Sequence, residues 1–414
     1  MSLAARTSAI AALAAALLVP LAANADAAPN AGGWVGAWVA SAQRPTAPIW
    51  YPTWAETGFA DQSVRQVIRV GAAGSQLRVR LSNAFGTSPL RLTGGTVGES
   101  AGGAAVKPGT VRELTFHGSA AVTIPAGARA ASDAVQLPVT AAEQLTVTLY
   151  FQGATGPATY HNLALATSYR AAGDRLRDQG AQAFADQSLS WYYLEGVDVT
   201  GRDPSVVTFG DSLTDGYGAT WGADDRYPDE LAGRLAARGN TRPVLNAGLG
   251  GNRLLSDSPC MGERGTARFR RDVLDQPRVG TVIVLEGVND ILGSQPGATT
   301  CEPPTPAVTA ADLIAGHRAL ICAAHARGVR IVGGTIPPYQ GNQSYTDQGD
   351  RVRQAVNQWI RTSGEYDAVA DFDRALADPA DPGRLRADDD FGDHLHPNAA
   401  GYLAMAKAVD LDRL

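Results

Sequence analysis

The spacing of apolar residues changes once along this chain, at Gly201-Arg202-Asp203-Pro204, and that change does most to limit what the chain can fold into. Before it, Leu77, Val79 and Leu81 alternate with Arg78 and Arg80, and Leu145, Val147, Leu149 and Phe151 alternate with Thr146 and Thr148. Strict alternation gives an extended strand one apolar face. Further runs at 63–70, 111–116, 121–124, 134–139 and 191–199 are divided by Gly, Pro and Ser turns, so residues 32–200 are expected to form an antiparallel β-sandwich, jelly-roll-like, as an accessory domain. After it, short apolar runs at 206–209, 244–246, 281–286, 330–335 and 368–371 alternate with helical patterns at 227–238, 266–276, 310–327, 347–362 and 398–409. That rhythm predicts an α/β domain over 204–414, a parallel sheet with helices on both faces.

Two strings in this second half carry chemistry: Gly210-Asp211-Ser212-Leu213-Thr214-Asp215-Gly216 and Asp393-His394-Leu395-His396-Pro397. The first places Ser212 just past an apolar run, where a nucleophile is exposed at the carboxyl end of a buried strand. A serine hydroxyl is a weak nucleophile until an imidazole takes its proton, and the imidazole needs a carboxylate to hold its tautomer. His396 follows Asp393 by three residues, a spacing that lets the carboxylate reach one ring nitrogen while the other faces the serine. His394 is the rival base. A His-x-His pair also suits a metal, but no third ligand cluster lies nearby in sequence, and metal is the weaker reading. Gly98-Glu99-Ser100-Ala101-Gly102 matches the G-x-S-x-G elbow of another hydrolase fold, yet it sits among β-patterned segments where that elbow needs a strand-to-helix turn.

The four blocks Gly210-Asp211-Ser212-Leu213, Asn246-Ala247-Gly248-Leu249-Gly250-Gly251, Gly287-Val288-Asn289-Asp290 and Asp393-x-x-His396-Pro397, in that order, resemble those of the GDSL esterases, also called SGNH hydrolases. The resemblance implies a three-layer, flavodoxin-like domain with Ser212, Asp393 and His396 as catalytic residues. It further implies an oxyanion hole made by the backbone N–H of Ser212 and Gly251 and the side-chain amide of Asn289. Asp215 and Asp290 are expected to organise loops. Each residue alone has a plainer reading: Ser212 and Asn289 as helix caps, Gly251 as a turn glycine. The implied activity is a carboxylic ester hydrolase working through an acyl-enzyme, with neither cofactor nor metal. Phrases such as Val284-Leu285-Glu286-Gly287-Val288-Asn289-Asp290 look most like secreted arylesterases and acylhydrolases linked to xylan breakdown, which points to short acyl or aryl esters, acetylated polysaccharide among them. A lipase or phospholipase with a longer acyl groove is the alternative within enzymes; a glycan-binding protein with an idle hydrolase scaffold is the alternative outside them. Tyr217, Trp221 and Tyr339, in loops at the expected strand ends, are candidate pocket residues.

Residues 1–27 combine Arg6, an apolar run from Ala9 to Ala23 and an Ala-x-Ala site, the pattern of a cleaved signal peptide. Pro20 interrupts the run, which is shorter than a membrane-spanning helix needs. The expectation is a secreted, extracellular enzyme with no transmembrane segment. The net charge of -6 and the lack of basic clusters exclude nucleic acid as a partner, since Arg268-Phe269-Arg270-Arg271 reads as the solvated face of a helix. The expected partner is a small ester or an acylated glycan, and oligomeric state is not legible. In an oxidising compartment Cys260 and Cys301, both in Gly/Pro-rich loops, are a candidate disulfide, while Cys322, inside a helical pattern, is expected to be a small buried apolar residue.

Overall fold

The structure is a computed structural model that describes residues 33–293 and 305–414. The expected signal peptide and Cys301 lie outside the described residues.

The second half is built on five parallel strands in the order Val244–Gly248, Ser205–Gly210, Val279–Leu285, Arg330–Gly334 and Ala368–Ala370. Every residue of Ser205–Gly210 is buried, as are the last five of Val279–Leu285. A strand covered on both faces has no solvent side to mark with polar residues, which is why these stretches read as continuous apolar runs. Helices fill the connections. Asp347–Thr362 buries Val352, Val356 and Ile360 on one stripe, each worth about 1.5–3 kcal/mol of apolar burial. Its start is set by Thr346, whose side chain accepts from the Gly349 N–H. Helices also cover Tyr227–Ala237, Ala310–His325 and Ala399–Ala408, close to the expected bounds. Among the described residues no helix is long and apolar enough to cross a membrane.

The expected helix over 266–276 differs. Gly265–Phe269 is α-helical and Arg270–Leu274 widens into a π turn, closed by the Asp275 N–H on the Arg270 carbonyl. Its basic run is solvated only at Arg270: Arg268 is fully buried and Arg271 partly so. Both find acceptors inside the protein, which composition alone cannot reveal.

In the first half, one antiparallel sheet joins Trp34–Val39, Leu194–Thr200, Leu77–Ser82 and Arg129–Ala131. A second joins Asp186–Ser188, Ser168–Ala172, Gln62–Arg69, Gln144–Phe151, Gly94–Gly102 and Ala105–Val106, with Arg112–Leu114 also on Gly94–Gly102. Val79, Leu81 and Val197 from one sheet and Val64, Val97 and Val147 from the other share a single core. The run at 134–139 forms no strand, only bridges through Val135 and Val139; Pro138 has no N–H to give a ladder. The run at 191–199 divides at Tyr193, whose φ of 58° breaks the extended chain. Ser100 lies within Gly94–Gly102 with no helix following, so it forms no nucleophile elbow.

The two halves meet along Trp34–Val39 and Val244–Gly248. Val39 belongs to the α/β core, and a Cβ on Gly36 would lie 2.8 Å from Leu245 Cδ1. Beyond it, Ser41 donates to the Ala247 carbonyl at 3.1 Å and Gln43 Nε2 to the Cys260 carbonyl at 2.9 Å. The seam therefore runs directly behind the loop after Val244–Gly248.

Candidate active site

Gly210 pairs in register with Gly248 on one side and Leu285 on the other. The residues that follow these three strands therefore emerge at one level, at the carboxyl edge of the sheet. Ser212, Gly251 and Asn289 are the residues so delivered. Asp211 caps the short helix Ser212–Asp215 by accepting from the Leu213 N–H, and Gly216, at φ 111°, ends it. The turn from strand into helix holds Ser212 Oγ 2.8 Å from His396 Nε2. His396 Nδ1 lies 2.6 Å from Asp393 Oδ2, while Asp393 Oδ1 accepts the backbone N–H of Leu395 and His396 at 3.0 and 2.9 Å. A carboxylate only accepts, so Nδ1 carries the proton and Nε2 is left to accept from the Ser212 hydroxyl. Partial burial works against ionising Asp393, but the hydrogen bonds and charge of His396 outweigh it and hold the carboxyl at about 2. The rival His394 is exposed and turns away, to Asp390 Oδ2 at 2.6 Å.

Among the described residues no protein acceptor takes the backbone N–H of Ser212 or of Gly251. Asn289 Nδ2 donates one hydrogen to the Asn252 carbonyl at 3.0 Å, which fixes the amide plane and leaves its second hydrogen to point elsewhere. Gly251 has a φ of 71°, and a Cβ there would sit 2.6 Å from Met261 Sδ; only glycine fits. Asp290 accepts the Leu254 and Leu255 N–H at 2.6 and 2.9 Å, and burial pushes its carboxyl up to about 6.

Beneath these loops lies a group the sequence reading missed. Arg268 donates Nε to Asn252 Oδ1 at 2.7 Å, and its two terminal nitrogens to the carbonyls of Ala247 and Gly210 at 2.9 and 2.7 Å. They also reach Asp272, Glu286 and Ser41 Oγ. Its guanidinium lies 4.0 Å from the Phe209 ring centroid. One planar fork thus ties the carboxyl ends of two adjacent strands to the loop that bears Gly251. Burial and mutual repulsion push the carboxyls of Asp211 and Glu286 upward, against the pull of Arg268. The available sequence signal was Asp272, one helical turn after Arg268 and beside the apolar Phe269 and Val273.

A second group comes from the first half. His161 is buried with Nδ1 2.9 Å from the Ser41 carbonyl and Nε2 3.1 Å from Asp215 Oδ1. Burial lowers its basicity, but Asp215 and the facing carbonyls outweigh it, and the net shift is upward. Asp215 Oδ2 in turn accepts the Gly250 N–H at 2.9 Å.

The rim is aromatic. The Tyr217 ring lies 4.6 Å from that of His396 and touches Trp50 and Phe391; Tyr51, next in chain to Trp50, touches Trp221. Trp221 and Phe391, 52% and 51% exposed, are the large hydrophobics exposed among the described residues, and both stand here. Tyr217 and Trp221 were expected in a pocket. Tyr339 was too, but it is fully buried against Tyr345 and does not line one. Cys260 is buried in the loop behind Gly251, and its expected partner Cys301 is outside the described residues. Cys322 is a free cysteine and exposed, because its helix turns that position outward from the buried Leu320-Ile321 and Ala324.

The family model for GDSL-like lipases and acylhydrolases matches residues 208–404. That stretch is a GDSL-like acylhydrolase domain. The chain is a carboxylic ester hydrolase. Solved structures similar to this chain include the aryl esterase of M. smegmatis, 16% identical, with 50% of this chain and 95% of that one covered at a TM-score of 0.38. A catalytic mutant of an acetylxylan esterase from Geobacillus stearothermophilus is 22% identical over 50% of this chain and 91% of that one, at a TM-score of 0.37. A GDSL-like lipase from Bacteroides thetaiotaomicron is 16% identical over 49% and 84%, also at 0.37. Among curated proteins no match is found. In the acylhydrolase domain the four sequence blocks converge on one edge of the sheet.

Proposed function

We propose that this protein is a secreted esterase in which Ser212 is the nucleophile, His396 its general base and Asp393 the group that orients His396. The observation that carries this reading is the unbroken line of hydrogen bonds from Ser212 Oγ to His396 at 2.8 Å and from His396 to Asp393 at 2.6 Å. His396 takes the hydroxyl proton as Ser212 attacks an ester carbonyl. The carbonyl oxygen, now negative, is met by the N–H groups of Ser212 and Gly251 and the Asn289 amide. Collapse of the tetrahedral intermediate expels the alcohol, which receives the proton held on His396. Water, deprotonated by the same imidazole, then releases the acid from the acyl-enzyme.

The substrate in this reading is a small ester of a flat or ring-bearing alcohol: an aryl ester, or an acetyl group on a neutral sugar. The rings of Trp50, Tyr217, Trp221 and Phe391 offer faces for such a group. Asp388, Asp389 and Asp390, directly before Phe391, oppose an anionic one. Residues 32–200 act as an accessory sandwich that supplies Trp50 and Tyr51 to the rim, and 1–27 as the export signal.

A chain-length series of p-nitrophenyl esters from acetate to palmitate, run on wild type and Ser212→Ala with acetylated xylan alongside, tests the proposal. An optimum at acetate or butyrate, with release of acetate from xylan and an inert Ser212→Ala, is expected. An optimum at long chains without sugar activity replaces the substrate reading with a lipase. A Ser212→Ala enzyme as fast as wild type removes the nucleophile.

A further inference from the structure

We propose that His161, carried by the first half of the chain, is a positioning residue for ester hydrolysis: through Asp215 it holds the Gly250-Gly251 backbone where the Gly251 N–H can meet the oxyanion. This rests on the reading of Gly251 as an oxyanion donor.

The loop it would hold has little stiffness of its own. Gly248, Gly250 and Gly251 stand within four residues, and glycine brings the largest backbone entropy of any residue. A donor must nonetheless be fixed before the reaction if it is to stabilise developing charge without reorganising. Arg268 Nε and Asn289 Nδ2 hold Asn252, on the far side of Gly251, and three further contacts fix the loop on its near side. The Leu249 N–H bonds to the Gly210 carbonyl at 3.0 Å, Trp50 covers Gly250 so closely that a Cβ there would lie 2.8 Å from the indole, and the Gly250 N–H bonds to Asp215 Oδ2. Of these three, the last reaches nearest to Gly251. Asp215 also closes the helix that begins with Ser212, so one carboxylate links the nucleophile's helix to the oxyanion loop.

That carboxylate has a second oxygen to satisfy in a buried place, and His161 satisfies it. His161 Nδ1 faces the Ser41 carbonyl, and Nε2 faces both Asp215 Oδ1 and, at 3.2 Å, the Leu163 carbonyl. All three are acceptors, so both ring nitrogens donate and the ring is an imidazolium with no lone pair to offer. It cannot act as a base. It can neutralise Asp215 and stop that carboxylate from turning, which would carry the Gly250 N–H with it. A misplacement on the order of 1 Å in such a donor costs about 10²-fold in rate.

The test uses the full chain and p-nitrophenyl acetate, with reactive Ser212 counted by titration to completion with a fluorophosphonate so that unfolded molecules drop out. His161→Phe, which keeps a ring and loses both donors, is expected to lower kcat per titrated site by about ten- to a hundred-fold with KM within about three-fold. His161→Gln, which restores one donor toward Asp215, is expected to recover most of the loss. The double variant His161→Phe/Asp215→Asn should be no slower than the slower single one, because both act through one bond. Wild-type kcat per site in His161→Phe, or a loss confined to KM, or additive losses in the double variant, each overturns the proposal. Ser212→Ala separates its failure from that of the function: an inert Ser212→Ala beside a fully active His161→Phe sinks the positioning role alone, and an active Ser212→Ala sinks the reading beneath it.

Discussion

The turn that carries His396 and the seam that carries His161 each pair an imidazole with an aspartate, yet they are built for opposite ends. In the turn, Asp393 and His396 are three residues apart, and the second ring nitrogen looks at a hydroxyl that can give up a proton. In the seam, His161 Nε2 pairs with Asp215, 54 residues away, and the second nitrogen, Nδ1, looks at the Ser41 carbonyl, which cannot. The pairing with aspartate is the same. What faces the remaining nitrogen decides whether a histidine catalyses or braces, and neither residue type nor burial says which.

The contrast can be broken most decisively at His396. His396→Ala should lower kcat by about 10⁴-fold or more toward p-nitrophenyl acetate, since the imidazole is the proton acceptor for both half-reactions; steady-state rates with a ten-fold or smaller loss would place the base elsewhere. Next in size is Arg268→Met, which leaves Glu286 buried without its cation and Asp272 with Arg271 alone. A loss of about 3–5 kcal/mol in urea unfolding is expected, and unfolding as stable as wild type would show that the fork does not hold the strand ends together. Asn289→Ala should cost about 10²- to 10³-fold in kcat at little change in KM. A near-normal rate would remove Asn289 from the oxyanion site.

Asp393 gives a prediction in pH. Its folded-state carboxyl lies at about 2, below its ordinary 3.8, so ionised Asp393 stabilises the fold above roughly pH 4 and that contribution is lost as pH falls toward 2. Thermal unfolding of Asp393→Asn followed from pH 5 to 2 should therefore lose less stability than wild type does. Parallel curves would mean that the carboxylate gains nothing from His396. The smallest effect belongs to the third pair, His394 with Asp390, exposed and turned from Ser212. His394→Ala should leave kcat within about two-fold, surface pairs contributing little; a loss comparable to that of His396→Ala would reverse the assignment of the base.

Much of the acylhydrolase domain was legible because its signals are local. The apolar run at 206–209 lies inside the strand Ser205–Gly210, the run at 281–286 passes the end of Val279–Leu285 by one residue, and the helix 347–362 was placed without error. That Ser212, Asp393 and His396 come together was legible because a hydroxyl, an imidazole and a carboxylate form a set that few residues fill. Arg268 was misread because charge in a helix is ordinarily solvated, and its acceptors come from Gly210, Ala247, Asn252 and Glu286, which no spacing connects to it. Tyr339 was misread for the converse reason: a loop position does not reveal which way the loop folds. The partners of His161 were not legible, since Asp215 lies 54 residues away and Ser41 120.

The order of the blocks, the alternation of strand and helix, and the residues fit for acyl transfer are properties of the chain read in line, because hydropathy period and side-chain chemistry act over a few neighbours. The direction of each buried side chain is settled only when distant segments close on one another. Arg268, His161 and the rim of Trp50 and Tyr51 take their roles there, since a charge or a ring in the interior is worth what its partners make it, and those partners arrive from segments distant in the chain.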